Sequence, residues 1–518
     1  MIKYLIYFIL VFLISGSSYS QQIQWVRTYG SSGSDNAYCI KEDGLGNVYV
    51  SGIFNSNNNN AYVSTIKYNL NGDSIWARSY IDTNGNSPGR NILLDDSMNV
   101  YISGRFIIKY SSGGNFIYEK YFGCTTDKEC FDNSKKIVYA GYEQQHVLNY
   151  DNYLKLVLLK TDQNGDTLWK KIYPQFPSIF DITGIAVDKS NNIIVSAYSE
   201  IGSADNDLIV KFDPYGNVLW SKIFEGAYRP EAGIVLDSLD NIIFCDNKRD
   251  QNGNWNKWTV KYDPAGNVIW ELMDPGFGKT LDLKIDAHGY IYKCGLYANS
   301  IITTVKYNSA GQLIWSQSVP NSYNYSFGKL AIDSSGNVFL ASTYKFVGFP
   351  TGYQSFRGIK YSVNGTQLWS VVYPDQGVYD YFATDICVDR HGNTFITGNG
   401  AAPTYGNYYT IRINSLTGLI HNSNELPTNF SVSQNYPNPF NPTTVIRYSI
   451  PEGTGREMSV QLKVYDANGK EIETLVNQRQ NAGSYSVSFN ASNYPSGVYF
   501  YKLKAGEFSE TKKMVIIK

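Results

Sequence analysis

Six cysteines and four histidines are the residues of this 518-residue chain from which metal or nucleophilic sites are usually built. Cys39, Cys124, Cys130, Cys245, Cys294 and Cys387 form no C-x-x-C pair, and no His stands near them at zinc-ligand spacing. Cys124 and Cys130 are close enough in sequence to bridge across a loop. His288 and His391 each occupy an Asp-x-His-Gly turn. With so few histidines, triad and zinc chemistry are disfavoured. Glycosidase chemistry needs two carboxylates across one site. Asp and Glu are plentiful, yet no spacing marks such a pair and most Asp fall in turns. The DQNGD stretch at 162–166 lacks the spacing and trailing Glu of a calcium loop. No catalytic residue, metal site or cofactor is therefore expected.

Charge removes further classes. Lys and Arg total 44 against 45 Asp and Glu, so no basic excess exists to neutralise nucleic-acid phosphates. The 44 Tyr and 45 Gly describe short strands joined by many turns, an all-β chain. Lys3, the apolar run 4–14 and the small residues after it read as a signal peptide over residues 1–20, cut before Gln21. No later stretch approaches the roughly 20 apolar residues of a membrane span.

The elements come from internal repetition. One pattern runs Lys, aromatic, three turn residues, Gly, three more residues, Trp: IKYNLNGDSIW (66–76), LKTDQNGDTLW (159–169), VKFDPYGNVLW (210–220), VKYDPAGNVIW (260–270), VKYNSAGQLIW (305–315) and IKYSVNGTQLW (359–369). IKYSSGGNFIY places Tyr118 where the others have Trp, and IRINSLTGLI, from Ile411, never reaches its Trp. A second pattern precedes each, an apolar run, a turn Asp, Gly-Asn and an alternating strand, as in EDGLGNVYVSG (42–52) and IDSSGNVFLAS (332–342); FDNSKKIVYAG (131–141) is its irregular member. Trp25 to Trp369 gives a mean period of about 49 residues, within the range of propeller blades.

Two hairpins per period make four strands, and eight periods make an eight-bladed β-propeller, with seven blades as the alternative because 131–141 is irregular. The last repeat lacks its Trp strand, and IQWVRTYG (23–30) is an orphan Trp strand able to complete it and close the ring. Trp is read as a wedge between blades, and the repeat Lys as solvated or bonded to a neighbouring turn. Eight residues past each turn Asp lie Ser51, Ser103, Ala140, Ser196, Cys245, Cys294, Ala341 and Thr397. All are small, as a crowded repeated position requires.

These repeats resemble the bacterial β-propeller repeats of the SBBP type over about residues 23–420; that family has no common activity to carry over. The Gly-then-Trp ending is also similar to the eight-bladed quinoprotein dehydrogenases, which use pyrroloquinoline quinone, calcium and usually an adjacent Cys pair. This chain has no adjacent Cys. After a polar linker at 421–430, alternating runs describe a small Ig-like β-sandwich over 431–518. QNYPNPFNP, VYDANGKEIETL, SGVYFYKL and KKMVIIK appear there in order. They resemble the type A C-terminal sorting domain of the type IX secretion system, which maps onto Asn435, Tyr436, Pro437, Asn438, Pro439, Phe440, Gly497, Lys512 and Lys513. The resemblance implies a translocon and a sortase-like peptidase as partners, and a secreted or cell-surface protein that first reaches the periplasm.

The expected organisation is thus a signal peptide (1–20), a propeller (21–420), a linker and a sorting domain. The expected function is binding of a glycan or protein by a monomer. The alternative is an enzyme on the same scaffold, a polysaccharide lyase or hydrolase or a quinoprotein-like oxidoreductase. Recognition is placed on the longer connections at 55–61, 80–90, 142–152, 174–181, 247–256, 321–327, 344–355, 373–381 and 401–408. Their aromatics Tyr150, Trp255, Tyr323, Tyr325, Tyr344, Tyr353, Tyr379 and Tyr405 are the candidate contacts.

Overall fold

The computed structural model describes residues 23–30, 35–55, 61–81, 89–147, 150–176, 178–201, 204–225, 233–249, 255–274, 279–297, 301–320, 327–345, 354–374, 380–401, 406–414, 430–435, 438–451, 458–480 and 483–517. The signal peptide (1–20) and the 421–429 part of the linker lie outside them. The chain divides into two compact units, one of them Gln24–Ser415. Within it eight four-stranded antiparallel sheets follow one another, spanning 36–81, 91–121, 125–173, 178–225, 234–274, 280–320, 328–373 and 381–413. The eighth holds only three strands from its own span. Ile23–Tyr29 supplies the fourth, hydrogen-bonded beside Gly406–Ile413.

Each sheet packs its first strand on the first strand of the next, and Asn36–Glu42 packs on Tyr381–Val388, which closes the ring. First strands therefore line the axis and Trp strands form the outer edge, the arrangement of a β-propeller. The apolar core lies between sheets: Cys39, Tyr49 and Trp76 of the first pack against Ile92, Val100 and Tyr110 of the second. The eight small residues predicted from the repeat are fully buried.

Both hairpins of each repeat follow from side-chain chemistry. In the first, Asp188 Oδ1 accepts the amides of Ser190 and Asn192, and Oδ2 accepts Asn192 Nδ2. The left-handed conformation falls on the residue before this Asn or its counterpart, Gly46 in one copy, where Gly44 is left-handed as well, and Met98, Lys135, Asn191 or Asp240 in others. The Asn itself uses its side chain to tie back the Asp.

Of the two expectations for the repeat Lys, solvated or bonded to a neighbouring turn, the structure has the second, with the side chain buried. Lys211 pairs with Asp188 at 2.9 Å and Lys261 with Asp237 at 2.8 Å. Burial works against the charge of Asp188, but hydrogen bonds from Asn192 and Lys211 outweigh it and hold the carboxyl below its usual range. The same lysine crosses to the next sheet and shares an acceptor with Trp. Lys211 and Trp220 donate to Pro264 O at 3.0 and 3.2 Å, and Lys306 and Trp315 to Val363 O at 3.2 and 3.0 Å. The last sheet clasps the first identically, Arg412 and Trp25 donating to Leu70 O at 2.8 and 2.9 Å. The motif Gly receives that ring: a Cβ on Gly114 would sit 2.6 Å from Trp76, and its φ is +79°. Gly is required there twice over.

The second unit contains seven described strands in a three-stranded and a four-stranded sheet. One core from both sheets joins Ile446, Tyr448 and Phe489 to Leu462, Tyr501 and Met514. Among the described residues no helix is long and apolar enough to cross a membrane.

Candidate functional site

In an antiparallel meander alternate connections lie at opposite ends. The tight Asp and Gly turns therefore share one face of the ring, and the remaining connections share the other. The connections at 142–152 and 247–256 are shorter than the sequence indicated, because the ladders run on: Val147 pairs with Tyr150 and Arg249 with Trp255. Tyr150 and Trp255 thus open strands, though their side chains lie outside the described residues. Tyr344 also sits in a strand, half-buried, with the Arg357 guanidinium 5.2 Å from its ring centre. Tyr323, Tyr325, Tyr353, Tyr379 and Tyr405 lie outside the described residues.

The structure adds groups that spacing could not reveal. Asp127 and Asp181, fifty-odd residues apart in the chain, stand on the first strands of the third and fourth sheets, near the end where the longer connections arrive. Asp127 occupies a bulge, since Thr126 pairs with Gly141 and Lys128 with Ala140; bulges re-aim side chains. Its carboxylate is buried and neither oxygen has a close hydrogen-bond partner. Burial, then the charge of Asp181, pushes Asp127 up to about 7, with Arg90 opposing. Burial likewise pushes Glu129 up to about 7, although Ser103 donates to it. The arrangement can bind a cation or a hydroxyl, or hold a proton near neutrality.

This raised value has a measurable consequence. The folded chain keeps the Asp127 proton at pH values where the unfolded chain has lost it. The contribution of Asp127 to stability is therefore greatest below the ordinary carboxylate range and is lost as pH rises through about 7. Asp127→Asn removes a buried, poorly partnered charge, relieving about 1–3 kcal/mol at alkaline pH. Thermal melts at pH 8 are expected to place the variant a few degrees above the parent. At acid pH the two should coincide; equal melting at both ends would remove the assignment.

All six cysteines are free thiols. Thr125–Phe131 is extended, which puts Cys124 and Cys130 about 20 Å apart at 3.3 Å per residue, too far for a bridge. His288 and His391 donate backbone amides to Asp286 and Asp389, and DQNGD is a hairpin turn in which Asp162 accepts from Asn164 and Asp166. Among the described residues no three His, Cys, Asp or Glu side chains cluster as a metal site.

In the second unit the sorting-motif residues form one constellation against the last strand. Phe440 N donates to Val515 O and Ile517 N to Phe440 O, a parallel bridge beside Phe508–Ile516. Asn438 Oδ1 accepts Val515 N at 2.9 Å, while Gln434 Nε2 donates to Lys513 O at 2.7 Å. Asn435 is buried, its amide on Tyr501 Oη and its side chain on Thr444 Oγ1. Pro439 follows Asn438 in this docked segment, Gly497 opens the neighbouring strand opposite Ile516, and Lys512 pairs with Glu510 at 2.7 Å. Lys513 is exposed. Tyr436 and Pro437 lie outside the described residues.

Comparison with known proteins identifies this second unit. Residues 434–518 match the family described as the secretion system C-terminal sorting domain. That domain directs export by the type IX secretion system to the cell surface or extracellular space. No curated protein matches the chain. Solved structures similar to it include the β-propeller domain of the Trilobed protease from Pyrococcus furiosus, 11% identical, TM-score 0.38, covering 64% of this chain and 95% of that one. A protein of unknown function from Bacteroides caccae is also similar, 11% identical, TM-score 0.32, covering 56% of this chain and 97% of that one.

Proposed function

We propose that the ring is an exported binding module that recognises a glycan or protein ligand on the face of its longer connections. One observation carries this reading. The opposite face is built of Asp turns, buried Lys pairs and Trp clasps repeated from sheet to sheet, so its residues are committed to holding the ring. The connections on the other face differ in length and composition from repeat to repeat, as recognition loops on a rigid scaffold do. This reading assigns the contacts to Trp255, Tyr150, Tyr323, Tyr325, Tyr344, Tyr353, Tyr379 and Tyr405, the aromatics that the sequence carries in or beside those connections. On this reading the leader at residues 1–20 takes the chain to the periplasm, and the sorting unit engages the translocon and a sortase-like peptidase.

A glycan array and a surface-protein panel probed with the purified ring test the proposal. Trp255→Ala is expected to weaken the ligand found by about tenfold or more with melting unchanged. Asp333→Ala, in a tight turn where the carboxylate accepts the Ser335 and Asn337 amides, is expected to lower melting and spare affinity. The reverse pattern overturns the placement. Asp127 and Asp181 favour hydrolysis of a glycosidic bond as a second reading, since a carboxyl protonated near neutrality can act as a general acid. Reducing-end release by the same preparation, lost in Asp127→Asn, separates that reading from simple binding.

A further inference from the structure

The four-stranded sheet of the second unit turns one face away from its core. Its strands run in the order Glu471–Gln480, Met458–Tyr465, Gly497–Ala505 and Phe508–Ile516. Side chains alternate between the two faces of a strand. Val460, Leu462 and Val464, with Tyr501, Leu503 and Ala505 beside them, are buried in the core. The residues between them point outward, and the register fixes which are neighbours. Lys463 stands directly opposite Lys502, and Gln461 opposite Lys504. Phe500 has Tyr465 on one side and Lys513 on the other. Arg479 faces Ser459 at the far corner.

Charge on this face is one-sided. Lys463, Arg479, Lys502, Lys504 and Lys513 occupy outward positions, against the single carboxylate of Glu471. Glu471 is taken by Lys463 at 2.9 Å. Among the described residues the other four cations have no carboxylate partner, and all four are exposed. The whole chain balances 44 cations against 45 acids, so the excess is local. Like charges directly opposite on adjacent strands are destabilising. Stability therefore does not account for Lys463 beside Lys502. An apolar strip adjoins them: Tyr465 and Phe500 are half-exposed, and Val498 is 40% exposed.

We propose that this face docks the sorting unit onto an acidic protein surface of the export machinery, with Tyr465 and Phe500 at the centre and the cations around them. Export requires that some component of the secretion system meet this unit. A rigid, flat face with aromatic residues inside a charged surround has the anatomy of a protein interface. Charge complementarity sets the sign of the partner, since a neutral or basic surface would leave these cations facing no counter-charge. The edge at Phe508–Ile516 is already bridged by Phe440, so on that side approach is by the face and not by strand addition. The aromatics lie in the plane of the sheet between lysines, which suits a second protein surface better than insertion into lipid. The inference goes beyond the ligand reading of the ring and does not depend on it.

The full-length protein carrying Lys502→Glu with Lys504→Glu, made in a host with type IX machinery, tests it. Immunoblots of medium, surface and periplasm should show export reduced by about tenfold or more, with the missing protein held in the periplasm. Lys502→Arg with Lys504→Arg keeps the charge and should export normally. Arg447→Glu reverses an exposed charge on the other sheet and should also export normally. Lys502→Gln with Lys504→Gln adds no charge and should cut export several-fold, with melting equal to or above the parent because a repulsion is relieved. This neutral pair decides the matter if the glutamate pair proves unstable. Phosphatidylglycerol vesicles should not carry the parent on flotation; binding that the glutamate pair loses would give the face to a lipid and overturn the proposal. Normal export by a stable glutamate pair or by the glutamine pair, or failed export by the arginine pair, overturns it too. Export blocked by removal of residues 427–518 but normal in the glutamate pair defeats this inference and leaves the sorting role standing.

Discussion

Removal of residues 427–518 is expected to leave the protein in the periplasm, with none reaching the medium or the cell surface. The sorting unit carries its own core from two sheets, and the QNYPNPFNP segment is held by backbone pairing to the last strand. Residues 427–518 fused behind a signal peptide and an inert reporter should send the reporter outside in a host with type IX machinery. Immunoblots of periplasm, surface and medium decide both results. Asn438→Ala, which deprives Val515 N of its acceptor, should reduce export without affecting the ring. Normal export of the truncated chain would refute the sorting role.

Deletion of residues 21–30 is expected to be the most destabilising small change available in the ring. It removes the fourth strand of the eighth sheet and with it Trp25, which packs on Tyr68 of the first sheet and Phe395 of the eighth. Trp25 Nε1 no longer reaches Leu70 O, Arg27 no longer reaches Gly72 O, and the edge beside Gly406–Ile413 is left unpaired. Loss of one buried Trp alone costs about 3–5 kcal/mol, and an open ring loses the cooperation of its two ends. Melting should fall by about 10 °C or more. Cutting the chain after residue 420 removes none of these contacts and should leave melting unchanged. A silent N-terminal deletion would mean that the ring closes without this strand.

Much of the architecture was legible because a repeat states the same local chemistry many times. The turn Asp, the left-handed Gly and the Trp nine residues after Lys are short-range features, and each recurrence strengthens the assignment of four strands per unit. The orphan strand at Ile23–Tyr29 was legible for the same reason, as the piece the last repeat lacked. The C-terminal segments were readable in order because each is a short motif on a strand.

What sequence alone left open were contacts between residues distant in the chain. The repeat Lys was read as solvated or bonded to a neighbouring turn, since nothing local shows that its stem lies between two sheets with Asp on one side and a carbonyl of the next repeat on the other. Cys124 and Cys130 looked close until an extended strand separated them. Asp127 and Asp181 carry no spacing signal, because the ring brings successive first strands together whatever lies between. Asp274 and Lys293 were visible as letters but became a pair only when two neighbouring sheets faced each other. Periodicity and turn chemistry act over a few residues, so sequence determined the blade; burial, charge pairing and the candidate sites arise between blades, where only the closed ring decides which side chains meet.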